Sequence, residues 1–299
     1  MINCILCGSD NITETLVGRI DFEFDIQTKL NYYKCNNLNC QLVFANPMPN
    51  SNQIQSFYLN YTTHISNKKI NKFNVLARFN HFCNNIYLNN LFINKEIDKV
   101  KILDFGCGNG NLLIELKRRG FLNLFGYDFD EKATELAKNN EFIVFSDFNL
   151  INSYGKFDFI FLNHVVEHLE DARGLIKNLE PLLNKSGKII IRTPNSQSFL
   201  CTVFKNNWRG WETPRHLEIF NYQNIELLSD SLKISKKWTS NLMFSGIFHE
   251  SMLNRYKNSN IYFKLLKHLF SYVFYFASSF LNIFFKKYGE EVCIIFVKV

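Results

Sequence analysis

The segment KILDFGCGNGN at 101–111 constrains this chain more than any other part of it. A short apolar run holds Asp104, and Gly106, Gly108 and Gly110 follow at alternate positions ahead of an amphipathic stretch. An apolar run of this length reads as a buried strand, and the stretch after it as a helix. The glycines let the backbone turn tightly and approach a ligand, and the helix start offers that ligand free N–H groups. The same alternation recurs downstream. The runs KVKILDF, LFGYDF, EFIVFS, FDFIFLN and GKIIIRT are separated by helix-like stretches at 110–119, 131–139 and 171–184. Strands buried on both faces and alternating with helices predict a parallel α/β sheet. A helix is expected at 222–231, a strand near 232–240, and a closing strand in EEVCIIFVKV.

The loop reads D-x-G-x-G-x-G. A dinucleotide fingerprint needs its third glycine where Asn111 stands. An aminoacyl sulfonium cofactor needs room and an acid for its ammonium, and Asp104 is placed to supply that acid, directly or through water. The next strand ends at Asp128, where a carboxylate can accept from both ribose hydroxyls.

The first fifty residues follow a different logic. Cys4 and Cys7 form C-x2-C, and Cys35 and Cys40 form C-x4-C. Four thiolates satisfy tetrahedral zinc with no open position, so the site is structural and staples a segment poor in apolar groups. Of the eight cysteines, Cys83, Cys201 and Cys293 read as plain buried thiols, and Cys107 as the small residue its loop requires. Free thiols, a metal site and no basic-then-apolar N-terminus fit a reducing cytoplasm. The 299 residues suffice for one large domain plus a small module, with boundaries expected at 1–50 (zinc module), 51–98 (helical lid, with Ser51 as its first cap) and 99–299. The net charge of +7 is spread along the chain without a long basic block, so nucleic acid is not indicated as a partner.

LDFGCGNG, GYDFD and FDFIFLNHVVEHLEDARGLIKNLEPLLNKSGKIIIRTPN together resemble the class I S-adenosylmethionine-dependent methyltransferases, densely over residues 99–240. The resemblance implies a Rossmann-like sheet of seven strands with the last antiparallel. By motif position it places Asp104, Gly106, Cys107, Gly108, Gly110, Asp128 and Asn163 at S-adenosyl-L-methionine. Phe129 then lies beside the ribose or adenine, and Asp147 accepts from the adenine amine or else caps a helix. CQLVFANPMPNSNQIQSFYLNY is similar to the N-terminal region of sugar methyltransferases, including sugar C-methyltransferases, in which a small zinc module precedes a lid. Relatives that methylate base amines carry N-P-P-Y after the fourth strand. This chain has NHVV there, which again disfavours a nucleic-acid acceptor.

Transfer to a hydroxyl or carbon acid needs a base near the carboxyl ends of the strands. His216, in NNWRGWETPRHLEIF, matches the segment that supplies a base in the sugar methyltransferases, although the acidic residue usual before it is Arg215 here. His168 with Glu167, in NHVVEHLED, are the second candidates, with a structural role as the alternative; His164 is the third. Trp211 offers an aromatic face to a sugar ring, and Tyr58 and Tyr61 on the lid can donate to an acceptor hydroxyl. Packing is the alternative for all three. The acceptor expected is a sugar, nucleotide-sugar or glycan. The alternatives are another small molecule such as a phenol, quinone or natural product, or no acceptor at all in a cofactor-binding protein.

An amphipathic helix is expected over 261–287, inserted before the last strand, with Lys264, Lys267, Ser271, Tyr275, Ser278, Asn282 and Lys286 as its polar stripe. It is too short to span a bilayer. Packing on the body, packing on a second subunit and lying in a membrane interface all remain open, and the oligomeric state is not legible.

Overall fold

The computed structural model describes residues 2–19, 26, 28–58, 84, 87–93, 95–241, 244–255 and 261–299. Three N-terminal strands, β1 (Ile12–Arg19), β2 (Leu30–Cys35) and β3 (Val43–Ala45), form an antiparallel meander. The apolar runs become β4 (Lys101–Phe105), β5 (Asn123–Tyr127), β6 (Ile143–Phe145), β7 (Phe157–Asn163) and β8 (Leu183–Pro194). A two-residue strand β9 (Glu218–Ile219), then β10 (Lys233–Ser240) and β11 (Glu291–Val297), complete the set.

Seven strands lie in one sheet in the order β10-β11-β8-β7-β4-β5-β6. The pairs among β4 to β8 are parallel, and β11 runs antiparallel to both of its neighbours. This is the expected Rossmann-like sheet with its reversed final strand. Ile102, Leu103, Phe161 and Ile190 are buried from both sides, as strands covered by helices require. The strand order reverses between β4 and β7, and in open α/β sheets the crevice beside such a reversal is where ligands bind.

The meander does not stand apart. β3 pairs with β9 through Val43↔Ile219 and Phe44↔Glu218, which makes a second sheet β1-β2-β3-β9. Leu42 and Phe44 share one buried cluster with Phe220 and Leu232.

Three local expectations change. Asn50, not Ser51, caps the helix Ser51–Ser56: its side chain accepts from Gln53 N, and Gln53 reciprocates in a capping box. The helix expected at 171–184 ends at Leu179, and β8 begins at Leu183, because Pro181 forces a tight turn between them. In place of a helix at 222–231 the chain makes 3-10 turns over Asn224–Leu228. There the buried Asn221 side chain accepts from Gln223 N and Asn224 N at 2.8 and 3.0 Å, which competes with helical pairing. Tyr61 and Cys83 lie outside the described residues.

Candidate active site

A cleft of about 790 Å³ opens at the carboxyl ends of β4, β5 and β7. Phe105 and Gly106 at the start of the glycine loop line one side, with Asp104, Cys107, Gly108 and Gly110 behind them outside the described lining. Gly106, Gly108 and Gly110 all take positive φ (78°, 50° and 80°), which glycine adopts without strain. Gly106 N and Cys107 N donate to Tyr127 O at 2.7 and 2.9 Å, fastening the loop to the end of β5. A Cβ on Gly106 would come within 2.5 Å of Val165 Cγ2, so close packing as well as the turn demands glycine. Gly108 N donates to Asp128 Oδ2 at 2.8 Å and Asp130 N to Oδ1 at 3.0 Å. A carboxylate accepts about four hydrogen bonds, so Asp128, which lines the cleft, keeps lone pairs for two hydroxyls. Phe129 beside it is 52% exposed, an open aromatic face. Asp104 is buried, and burial followed by the nearby charge of Asp128 pushes its carboxyl up to about 7. An acceptor-only acid for hydroxyls, a flat ring, and a buried acid whose charge a cation would relieve are chemically suited to S-adenosylmethionine.

Opposite the loop, β7 ends at Asn163, which lines the cleft. His164 follows with φ 56°, a left-handed conformation that costs a non-glycine residue energy. Its ring bridges two buried carboxylates, Nδ1 to Glu167 Oε1 and Nε2 to Glu291 Oε1, both at 3.1 Å. Burial opposes the charge on His164, but these two partners prevail and hold its pKa up to about 9. Burial would likewise raise Glu167, yet His164 draws it down to about 2. His164 is therefore an imidazolium at neutral pH, which removes it as a base. Glu167 also accepts from Thr193 Oγ1 at 2.8 Å. Thr193→Val is expected to lower stability by about 1.5–3 kcal/mol, the usual contribution of a hydrogen bond to a charged group. An unchanged melting temperature would show that this bond adds nothing.

The other two histidines stand side by side, rings 4.7 Å apart. His168 Nδ1 lies 3.1 Å from Arg215 O, and His216 Nδ1 lies 2.8 Å from Gly210 O. A carbonyl only accepts, so each Nδ1 carries a proton and donates it. Burial lowers His216 to about 4 despite the opposing pull of Glu212, so it is neutral and able to take a proton. Its Nε2 is 3.4 Å from Glu212 Oε2. Burial alone would raise Glu212, but Arg209, His216 and Arg215 hold it well below the usual carboxylate range. One ligand atom from each of Glu167, His168 and His216 lies within 4.8 Å of the others, so the three expected catalytic residues share one site.

Glu212 was not legible as a site residue. It supplies from four positions upstream the acid missing at Arg215, and the signal was its helical spacing to His216 with arginines on either side. Gly246, Ile247 and Glu250 also line the cleft, from the helix Phe244–Arg255, which carries no motif.

The remaining expected residues divide. Tyr58 lines the cleft between Phe129 and His168, with ring centroids 5.2 and 6.0 Å away. Trp211 turns into the core instead: its Nε1 donates to Lys205 O at 2.8 Å, and its ring meets Trp208 edge-on. Asp147 is exposed and caps the short helix Phe148–Ile151 by accepting from Asn149 N at 2.9 Å. Neither belongs to the described cleft lining. Cys107 is buried, with its sulfur directed at Gly126, so only its backbone serves the loop.

Away from the cleft, the Sγ atoms of Cys4, Cys7, Cys35 and Cys40 lie within 4.8 Å of one another. Cys4 is 3.7 Å from Cys40, and Cys7 is 3.6 Å from Cys35. Zn–S bonds of about 2.3 Å set tetrahedral S···S edges of about 3.8 Å. A disulfide would need about 2.05 Å. The spacing fits a zinc centre. This cluster braces the cleft as well, because Tyr32, on the strand that ends at Cys35, donates from its hydroxyl to His216 O at 2.9 Å.

A methyltransferase-domain family model matches residues 76–231, more than half of the chain, and the chain belongs to that family. With the seven-stranded sheet, it is a class I S-adenosylmethionine-dependent methyltransferase domain. It is 32% identical over 146 residues to the EEF1A lysine methyltransferase 2 of Danio rerio, a match covering 42% of this chain and 60% of that protein. It is 33% identical over 109 residues to the ubiquinone biosynthesis O-methyltransferase of Pelagibacter ubique, covering 34% of this chain and 45% of that protein. The matches thus span less than two thirds of either relative. Among solved structures, coclaurine N-methyltransferase bound to N-methylheliamine and S-adenosylhomocysteine shares the fold at a TM-score of 0.50 and 15% identity, covering 79% of this chain and 78% of that one.

Proposed function

We propose that the protein transfers a methyl group from S-adenosylmethionine to a hydroxyl or carbon of a sugar, nucleotide-sugar or surface glycan. The observation that carries this reading is one cleft lined by both Asp128 and Phe129 on the cofactor side and His168, His216 and Tyr58 on the acceptor side. Bound cofactor supplies a methyl group on a sulfonium, already a strong electrophile. Asp128 accepts from the ribose hydroxyls, Phe129 covers the ribose or adenine, and Asp104 answers the ammonium. His216 Nε2 would take the acceptor's proton as the methyl passes to the acceptor and its bond to sulfur breaks, the electron pair staying on sulfur to leave neutral S-adenosylhomocysteine, and the Glu212 carboxylate would stabilise the imidazolium formed. His168 Nε2 and Tyr58 orient the acceptor. Trp211 serves by bracing the loop that carries His216.

The polar lining residues Asn178, Glu170, Arg209 and Glu250 support an acceptor with several hydroxyls. A phenolic acceptor is the second reading, favoured by the likeness to a ubiquinone biosynthesis O-methyltransferase and by the apolar Phe148, Leu175 and Ile247. In this reading Cys4, Cys7, Cys35 and Cys40 hold a structural zinc in a module over 1–50, a lid follows over 51–98, and 99–299 carries the chemistry. Labelled cofactor incubated with nucleotide-sugars, glycan extracts and phenols tests the acceptor. Label in sugars is expected. Label in phenols alone replaces the acceptor, and no label in any component leaves a cofactor-binding protein.

Asp104 adds a pH dependence. A cation stabilises the ionised acid, so cofactor affinity should fall by up to about tenfold per unit below about pH 7, as Asp104 takes up a proton in the free protein. Titration calorimetry across this range checks it, and Asp104→Asn should flatten the profile. A level wild-type profile would remove Asp104 from the cofactor.

A further inference from the structure

The helix Ile261–Phe284 sits with its polarity reversed. Its described polar residues face the protein: Ser271, Tyr275 and Ser278 are buried. Asn241 Nδ2 donates to Ser278 Oγ at 3.1 Å, and Thr239 Oγ1 donates to Asn282 Oδ1 at 2.8 Å, which ties the stripe to the end of β10. The large apolar side chains point outward. Val273, Phe280 and Phe284 are 58%, 62% and 66% exposed, and Phe270 and Phe285 extend the same exposed surface. Exposed large apolar side chains gathered along one helix mark an interaction site rather than scattered surface residues.

Charge selects the partner. Over 251–289 the sequence carries six Lys and Arg residues and no acidic residue. Lys286 and Lys287 are exposed beside Phe284 and Phe285. Lys286 and Lys287 make the exposed edge of this face positive, which does not favour an identical second copy. An anionic lipid surface complements both the charge and the apolar face. No described helix is long and apolar enough to cross a membrane.

We propose that the outward face of this helix docks the protein on an anionic membrane surface, with the helix lying in the plane of the interface. The helix Phe244–Arg255, which lines the cleft, packs directly beneath through Phe248 and Phe274, whose rings stack at 5.8 Å. Docking therefore brings the cleft wall to the lipid.

Sedimentation of the full chain with vesicles tests this. Binding is expected to vesicles of phosphatidylcholine mixed with phosphatidylglycerol, with little to phosphatidylcholine alone and weakening as salt rises. K286A/K287A should bind about twenty-five-fold more weakly, at about a factor of five per lysine. F280D/F284D should lose binding yet keep wild-type affinity for S-adenosylhomocysteine, which reports an intact fold. Wild-type protein that stays in the supernatant with anionic vesicles overturns the proposal. So does a solution dimer that F280D/F284D splits, because the face then belongs to a second copy.

Discussion

His216→Ala is expected to lower turnover by about 10²–10⁴-fold, the usual range for losing a general base, while affinity for S-adenosylhomocysteine stays unchanged. The separation follows from geometry. His216 lies across the cleft from the glycine loop and makes none of the contacts that hold Asp128. The pH profile distinguishes a base from a bracing residue. With its pKa near 4, His216 is neutral across the physiological range, so turnover at saturating cofactor should show no protonation step near the ordinary histidine value of about 6.5. The fall belongs near pH 4, where the imidazole protonates. Glu212→Gln removes the charge that opposes burial, lowers His216 further and should slow turnover while cofactor affinity holds. Full activity in the His216→Ala protein would transfer the role to His168 or dispense with a base.

Loss of the metal should have the largest effect on the fold. Freshly purified protein is expected to carry one zinc ion per chain, and Cys40→Ser or prolonged chelation should release it. Structural zinc in small modules supplies about 10–16 kcal/mol at neutral pH, comparable with the whole stability of a domain at about 5–15 kcal/mol. The consequence reaches the cleft, because β3 pairs with β9 just after His216, and Tyr32 holds the His216 carbonyl. Turnover should therefore fall with the metal before cofactor affinity does. Zinc-free protein of equal stability and activity would show that the four thiols pack without a metal.

What was legible in the sequence was what local chemistry enforces. The glycine loop must turn at Gly106 and Gly110 whatever surrounds it, and Asp128 ends its strand whichever neighbour that strand takes. The cysteine spacing brings each pair of thiols to one knuckle. Side chains whose position depends on distant partners were not legible. Trp211 has the same sequence neighbours whether it faces a sugar or the core, and the Trp208 ring decided the matter. The sequence ranked His216, His168 and His164 as base candidates by their segments but could not show the charge or tautomer of any of them. Two buried carboxylates keep His164 protonated, and backbone carbonyls set the tautomers of the other two.

The sequence by itself determined the sheet, the loop and the thiol cluster, because periodicity and spacing act within a few residues. Only the tertiary structure decided that the cysteine meander shares a sheet with the His216 segment, because β9 is two residues long and carries no pattern of its own. It also decided which side of the C-terminal helix faces out. Amphipathicity defines two faces but not their direction, and here Asn241 and Thr239 drew the polar one inward.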